Sequence, residues 1–275
     1  MSYALITGAA KGIGRAIAEA LAAKNYQLIL VDLDKAHLAK TVDYLRTKYE
    51  VTVKPVPLDL SDKYAAEYIF RQTEFYHPRL QIVVNNAGYG LNGAFETLAL
   101  EQQLNIIDVN IKAQLRIAHL FIPVLKNIPH AYLLNVGSTT SYQSVPFLAI
   151  YAASKAFVLS FTRSLRQELK GTSISVSCLS PGSTDTDFVN RAGMAAHTRK
   201  IANRFNMTPQ KVARIALNGM FKGKAEIIPG FTNRLNAILP KFFPKTVTER
   251  IAAGIYRPRP VQDATPPSAP ILTPS

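Results

Sequence analysis

Short, almost uninterrupted apolar runs alternate along the chain with longer stretches in which apolar positions recur every three or four residues. The short runs, Tyr3–Thr7, Gln27–Asp32, Val51–Leu58, Gln81–Asn85, Ala131–Gly137, Ser173–Leu179 and Ala225–Ile228, read as strands. Most are apolar throughout instead of at every second position, which suits a parallel sheet buried on both faces. The longer stretches, Ile13–Lys24, Lys35–Tyr49, Ser61–Tyr76, Glu101–Lys126, Tyr151–Lys170 and Thr208–Phe221, read as helices. Alternation of this kind predicts a doubly wound α/β fold with about seven parallel strands and helices on both faces. Past Tyr256 the pattern gives way to a Pro-rich stretch without apolar period. Residues 1–256 are therefore expected to form one domain and 257–275 a disordered tail.

Composition narrows the chemistry mainly by exclusion. The lone cysteine, Cys178, lies inside an apolar run, so it reads as a buried hydrophobe and builds neither a disulfide framework nor a thiolate metal site. The five histidines include no pair four residues apart on one helix, and no metal is expected. Met1-Ser2 leads straight into the first strand without a basic region or cleavage site, and no charge-free apolar stretch is long enough to span a membrane. A cytoplasmic location is expected.

The net charge of +14 is unevenly spread, with residues 187–275 contributing +10 of it. Basic charge invites a nucleic-acid reading, but no zinc-finger spacing or RNA-binding motif accompanies it, so no nucleic-acid partner is expected.

The first candidate site follows the first strand directly. Thr7-Gly8-Ala9-Ala10-Lys11-Gly12-Ile13-Gly14 opens into the first helix, and Asp32 closes the second strand 18 residues after Gly14. Glycines let the backbone turn sharply and approach a pyrophosphate, while the helix N-terminus offers free N–H groups and a positive dipole end. An acid after strand two suits the adenosine ribose hydroxyls. The pattern predicts a Rossmann-type dinucleotide site.

A second constellation carries chemistry. Tyr151 and Lys155 lie four residues apart and share a helix face. A phenol titrates near pH 10, too high for a good base at neutral pH. An ammonium beside it favours phenolate, and lowering its pKa by ~3 units requires about 4 kcal/mol of differential stabilisation. Ser138, after the strand ending in Val136-Gly137, offers a hydroxyl to orient a substrate oxygen.

These motifs, in this order, resemble the short-chain dehydrogenase/reductase family from Tyr3 to about Ile228. Thr7–Gly14 matches its glycine pattern, Asn85-Asn86-Ala87-Gly88 its Asn-Asn-Ala-Gly, and Asn110 its catalytic asparagine. Ser138, Tyr151 and Lys155 match its serine, tyrosine and lysine, with 13 residues from serine to tyrosine. Pro181-Gly182 matches the family's Pro-Gly, and Thr186 stands where the family holds the nicotinamide carboxamide. The resemblance implies hydride transfer between a nicotinamide cofactor and a hydroxyl or carbonyl carbon. Tyr151 would be the acid/base, Ser138 would hold the substrate oxygen, and Lys155 would lower the tyrosine pKa and grip the nicotinamide ribose. Asn110 would hold a water linking Lys155 to solvent. The implied cofactor contacts are Gly8, Lys11, Gly12, Ile13, Gly14, Asp32, Asp59, Leu60, Asn86, Ala87, Gly88, Tyr151, Lys155, Pro181, Gly182, Thr184 and Thr186. With no catalytic position substituted, turnover is expected over the alternative of a non-catalytic, redox-sensing regulator.

Asp32 favours NAD(H) over NADP(H), because a 2′-phosphate there would meet a like charge. Lys11 argues the other way, and Asp34 reads as the N-cap of the helix from Lys35. The family often forms dimers or tetramers through the helices that include Glu101–Lys126 and Tyr151–Lys170. Its substrate lid corresponds to about 187–208. Apolar and basic residues interleave there and again over Phe231–Tyr256. The mixture raises the expectation of a small-molecule alcohol or carbonyl substrate that is long or polycyclic, hydrophobic and anionic, or of weak peripheral contact with an anionic membrane.

Overall fold

The computed structural model of the chain describes residues 1–186, 188, 192–194, 198 and 206–258, apart from the Lys241 side chain. Seven strands, β1 (Tyr3–Thr7), β2 (Gln27–Asp32), β3 (Val53–Pro57), β4 (Leu80–Asn85), β5 (Ala131–Val136), β6 (Ile174–Leu179) and β7 (Glu226–Ile227), form one sheet ordered β3-β2-β1-β4-β5-β6-β7. Every pairing is parallel. The doubly wound, Rossmann-type expectation holds.

Alternation along the strands feeds two cores. From β1, Ala4 and Ile6 join Ile17 and Leu21 of α1 (Gly12–Ala22), Leu38 and Val42 of α2 (Lys35–Tyr49), and Val212 of α7 (Pro209–Phe221). Tyr3 and Leu5 point the other way, to Ile69 of α3 (Ala65–Gln72) and Ile117 and Phe121 of α5 (Gln114–Lys126). Because both faces are covered, the strands are apolar at most positions, and the buried polar exceptions such as Asn85 and Asn135 bond to each other.

Two expected helices are interrupted. The stretch 61–76 forms α3 followed by a 3-10 turn, Glu74–Arg79, that contains Pro78. The Thr73 hydroxyl donates to the Ile69 carbonyl at 2.8 Å at the end of α3. The long helix after β4 divides into α4 (Leu100–Ile107), a π turn (Asp108–Ala113) and α5. Beyond α6 (Ala149–Glu168) and α7 come two helices that periodicity did not predict, α8 (Phe231–Ile238) and α9 (Lys245–Tyr256). Most of the lid stretch, and the tail from 259 onward, lie outside the described residues. No helix among the described residues is long and apolar enough to cross a membrane.

Candidate active site

Strand order reverses between β1 and β4, and a cleft opens at the C-terminal ends of the strands around this switch point, where parallel α/β sheets bind ligands. It encloses about 580 Å³. Every site residue read from the sequence lines it except Gly14 and Asn110, which stand just behind its wall.

At the nucleotide end, the chain leaves β1 through Gly8 (φ +64°) and Gly12 (φ +57°), backbone conformations that favour glycine. A Cβ on Gly14 would stand 2.1 Å from the Gly8 carbonyl oxygen, so only glycine lets α1 pack onto the turn. No side chain caps α1, and its first residues, Gly12 and Ile13, line the cleft. Asn86 latches the loop to β4: its amide donates to the carbonyls of Thr7 (2.8 Å) and Gly8 (3.0 Å). The Thr7 hydroxyl in turn accepts from the N–H groups of Asn86 and Ala87, both at 3.0 Å. The Asn86 amide is thus spent on backbone, and shaping the loop is its visible work. Thr186 lies across from Gly12, its methyl 3.0 Å from where a Cβ there would project. A glycine floor beneath an uncapped helix N-terminus fits a dinucleotide pyrophosphate.

Asp32, at the end of β2, accepts from the Ala10 N–H at 2.8 Å with one carboxylate oxygen and from the Asp34 N–H at 2.9 Å with the other. Asp34 caps α2 through the His37 N–H and also pairs with Lys11, 3.2 Å away. The His37 N–H bond, helped by Lys11, holds the Asp34 carboxyl down at about 2. Lys11 is therefore occupied by an acid of its own surroundings. Asp59, exposed after β3, turns its carboxylate to the Ser61 N–H and hydroxyl, and Leu60 beside it is buried.

At the other end, Ser138, Tyr151 and Lys155 converge. The Tyr151 phenol shares a hydrogen bond with Ser138. A connected layer fixes all three. The Ser141 hydroxyl accepts from the Ser138 N–H and donates to the Lys155 carbonyl. Asn110, fully buried in the π turn, binds the Tyr89 backbone through both amide atoms and donates to the Ser154 hydroxyl, which donates to the Tyr151 carbonyl. A Cβ on Gly88 would stand 3.0 Å from Asn110 Oδ1 and 3.1 Å from Lys155 Nζ, so a side chain there would crowd both.

Electrostatics differ from the expectation that lysine lowers the tyrosine. In the protein by itself burial dominates: it pushes Tyr151 up to about 12, against the opposing Ser138 hydrogen bond. Burial likewise pushes Lys155 down to about 8. Desolvation penalises phenolate and ammonium alike.

The wall around Tyr151 holds residues that no motif marked. Phe188 lies against the Tyr151 ring, centroids 5.1 Å apart. Leu148, Met194, Ile255 and Tyr256 also line this end. Asn92 ties the wall together, its amide donating to the carbonyls of Phe147 and Tyr256. Phe188 and Met194 fall in the lid stretch, but Ile255 and Tyr256 sit on α9, within a stretch that reads from the sequence only as mixed apolar and basic residues.

The short chain dehydrogenase family profile matches residues 2–197. The chain belongs to that family. Short-chain dehydrogenases are oxidoreductases, and this one acts on alcohol or carbonyl groups with a nicotinamide cofactor. It is 27% identical to the ketoacyl reductase HetN of Nostoc sp. over 82% of this chain and 77% of that protein. It also resembles a short-chain dehydrogenase from Sphingobium yanoikuyae in complex with NADPH, at 26% identity and TM-score 0.76, covering 97% of this chain and 99% of that one. A family member from Burkholderia phymatum in complex with NAD matches at 25% identity and TM-score 0.76, over 85% and 92% of the two chains.

Proposed function

We propose that this short-chain dehydrogenase transfers hydride between NAD(H) and the hydroxyl or carbonyl carbon of a hydrophobic substrate, with Tyr151 as acid/base. The observation that carries the reading is the convergence of Tyr151, Ser138 and Lys155 in one cleft with a glycine loop at its far end. The nicotinamide, when bound, supplies or accepts the hydride and in its oxidised form adds positive charge. Tyr151 Oη gives its proton to the substrate oxygen on reduction and takes it back on oxidation. The Ser138 hydroxyl orients that oxygen. Lys155, lining the cleft beside Gly88, grips the ribose and holds positive charge near the phenol. Asn110 supports the proton path from behind by fixing Tyr89 and α6. At neutral pH a phenol pushed up to about 12 keeps its proton, which sets the site up as an acid for carbonyl reduction.

The NAD(H) preference rests on Asp32 and Asp34 together, with Lys11 neutralised by the second. Asp59, Leu60, Thr184 and Thr186 would complete the cofactor contacts. Leu148, Phe188, Met194 and Ile255 favour an apolar substrate. The anionic half of that expectation rests on Arg191, Arg199, Lys200 and Arg204, which lie outside the described residues. Residues 1–256 work as one catalytic unit in the cytoplasm, paired as a dimer or tetramer through α4, α5 and α6, where Leu104 and Leu115 are exposed. The test is NADH absorbance against a panel of small and bulky ketones and alcohols with both nucleotides. Binding of NADH without turnover of any member would favour a regulator instead.

A further inference from the structure

Helix α8 is amphipathic in the wrong sense for a helix packed on a protein. Asn233 and Ala237, one turn apart, face inward. Asn233 presses on Gly182, whose Cβ would stand 2.2 Å from its Oδ1, and its amide donates to the Pro229 carbonyl at 2.7 Å. Phe231, Leu235 and Ile238, spaced by four and three, face solvent instead. The chain continues the same way. Phe242 and Phe243 are exposed after the 3-10 turn Leu239–Lys241, and α9 exposes Val247 and Ile251 one turn apart. Phe231 and Phe242 are each 76% exposed.

Single apolar side chains on a surface need no explanation, but a run of them over successive elements marks a contact face. Charge identifies the partner. Residues 229–258 carry five basic side chains and one acid, Glu249. Arg234, Lys245 and Arg250 are exposed among the apolar residues. Two copies meeting through this face would oppose like charges, whereas an anionic bilayer offers a complementary surface and an apolar layer beneath it.

We propose that α8, the 3-10 turn and the first turns of α9 dock onto an anionic lipid surface, with the phenylalanines entering the headgroup boundary and the basic side chains meeting lipid phosphates. The docking stands independently of the reaction assigned above. It also has a consequence for access. Asn233, Asn236, Ile255 and Tyr256, on these same two helices, line the cleft, so the docked face and one wall of the substrate site are opposite sides of a single layer.

The experiment uses the full chain and co-sedimentation with vesicles of equal parts phosphatidylcholine and phosphatidylglycerol, beside vesicles of phosphatidylcholine alone. Partition onto the anionic vesicles is expected to be at least ~10-fold stronger and to weaken as salt rises. Two variants probe the two components: Phe242→Ser/Phe243→Ser should lower partition by ~10-fold or more, and Lys245→Glu/Arg250→Glu should abolish the preference for anionic lipid. All these side chains are exposed outside the cleft, and an unchanged melting temperature confirms that each variant is folded. Absence of pelleting by wild type, or wild-type partition by the phenylalanine variant, overturns the proposal. So does concentration-dependent self-association that this variant abolishes without any vesicle binding, an outcome that assigns the face to a second copy.

Discussion

The Lys155 ammonium lies 5.9 Å from the centre of the Tyr151 ring, yet its Nζ donates to the Val136 carbonyl, 2.8 Å away at the end of β5. The lysine is anchored to the sheet and reaches the phenol only through space. Burial makes that charge costly in the protein without nucleotide.

Burial lowers Lys155 from 10.5 to about 8, so between those values the unfolded chain holds a proton that the folded one has lost. Stability then rises with pH across that window, and the full cost of about 3 kcal/mol is present below pH 8. Lys155→Met removes the cost and forfeits a hydrogen bond of about 1 kcal/mol. The nucleotide-free variant should be about 2 kcal/mol more stable than wild type near pH 7 and lose that advantage above pH 10. Urea unfolding at the two pH values checks it; a variant weaker at neutral pH refutes the account. Turnover should fall at least ~100-fold in the same variant.

Tyr151→Phe should lower kcat by ~1,000-fold or more while NADH binding changes little, because the ring packing against Phe188 survives and the proton donor does not. In wild type, alcohol oxidation should accelerate as pH rises, since it needs the phenolate that burial disfavours. Carbonyl reduction should stay level through neutral pH. Steady-state rates in both directions decide the matter, and an oxidation rate that falls with pH would exclude Tyr151 as the base.

For the nucleotide, kcat/KM should be at least ~10-fold higher with NAD(H) than with NADP(H), from like-charge repulsion at Asp32. Asp32→Ala should narrow or reverse the ratio. Asp34→Asn weakens the pair that occupies Lys11 and should raise NADP(H) use by a smaller factor, as befits an exposed ion pair. A wild-type preference for NADP(H) would mean that Lys11 escapes Asp34 when nucleotide binds.

Gly12 and Gly14 should differ sharply as alanines. At Gly14 the new methyl collides with the Gly8 backbone and nothing can yield, so NADH affinity should drop ~100-fold or more and stability should fall by about 3 kcal/mol. At Gly12 the obstacle is the Thr186 methyl, which can rotate, leaving mainly the positive φ to strain. Its cost in stability should be nearer ~1 kcal/mol. Isothermal titration and thermal melts on both variants separate the cases.

Much of this was legible in the sequence for a physical reason. Strands buried on both faces are apolar at most positions, so β1, β2, β4, β5 and β6 are legible to within two residues. The residues gathered in the cleft were legible because their types are tied to turns and hydrogen bonds at fixed spacing. The break in the long helix was not, because the π turn is held by Asn110 bonding to Tyr89, a partner far along the chain. Helices α8 and α9 escaped notice because Asn233 faces inward and the apolar stripe outward, reversing the usual sign, and because Pro240 and Pro244 interrupt the period. The elevation of Tyr151 is hidden as well, since burial outweighs the Ser138 hydrogen bond and spacing along the chain shows neither.

The Asn86 latch on Thr7 and Gly8 has a kinetic corollary. A glycine-rich loop left to itself samples many shapes, and a nucleotide arriving at it would have to wait for the right one. Here four hydrogen bonds from Asn86 and Ala87, just past β4, hold Thr7 and Gly8, where the loop begins, in place within the protein alone. The ordering cost is met during folding, so association should proceed in one bimolecular phase without a slow isomerisation. Rapid-mixing fluorescence with NADH would then show a single exponential whose rate climbs linearly with concentration. Asn86→Ala, which removes the two side-chain bonds and with them the hold on Gly8, should bend that line toward a plateau set by how fast the loosened backbone finds its shape.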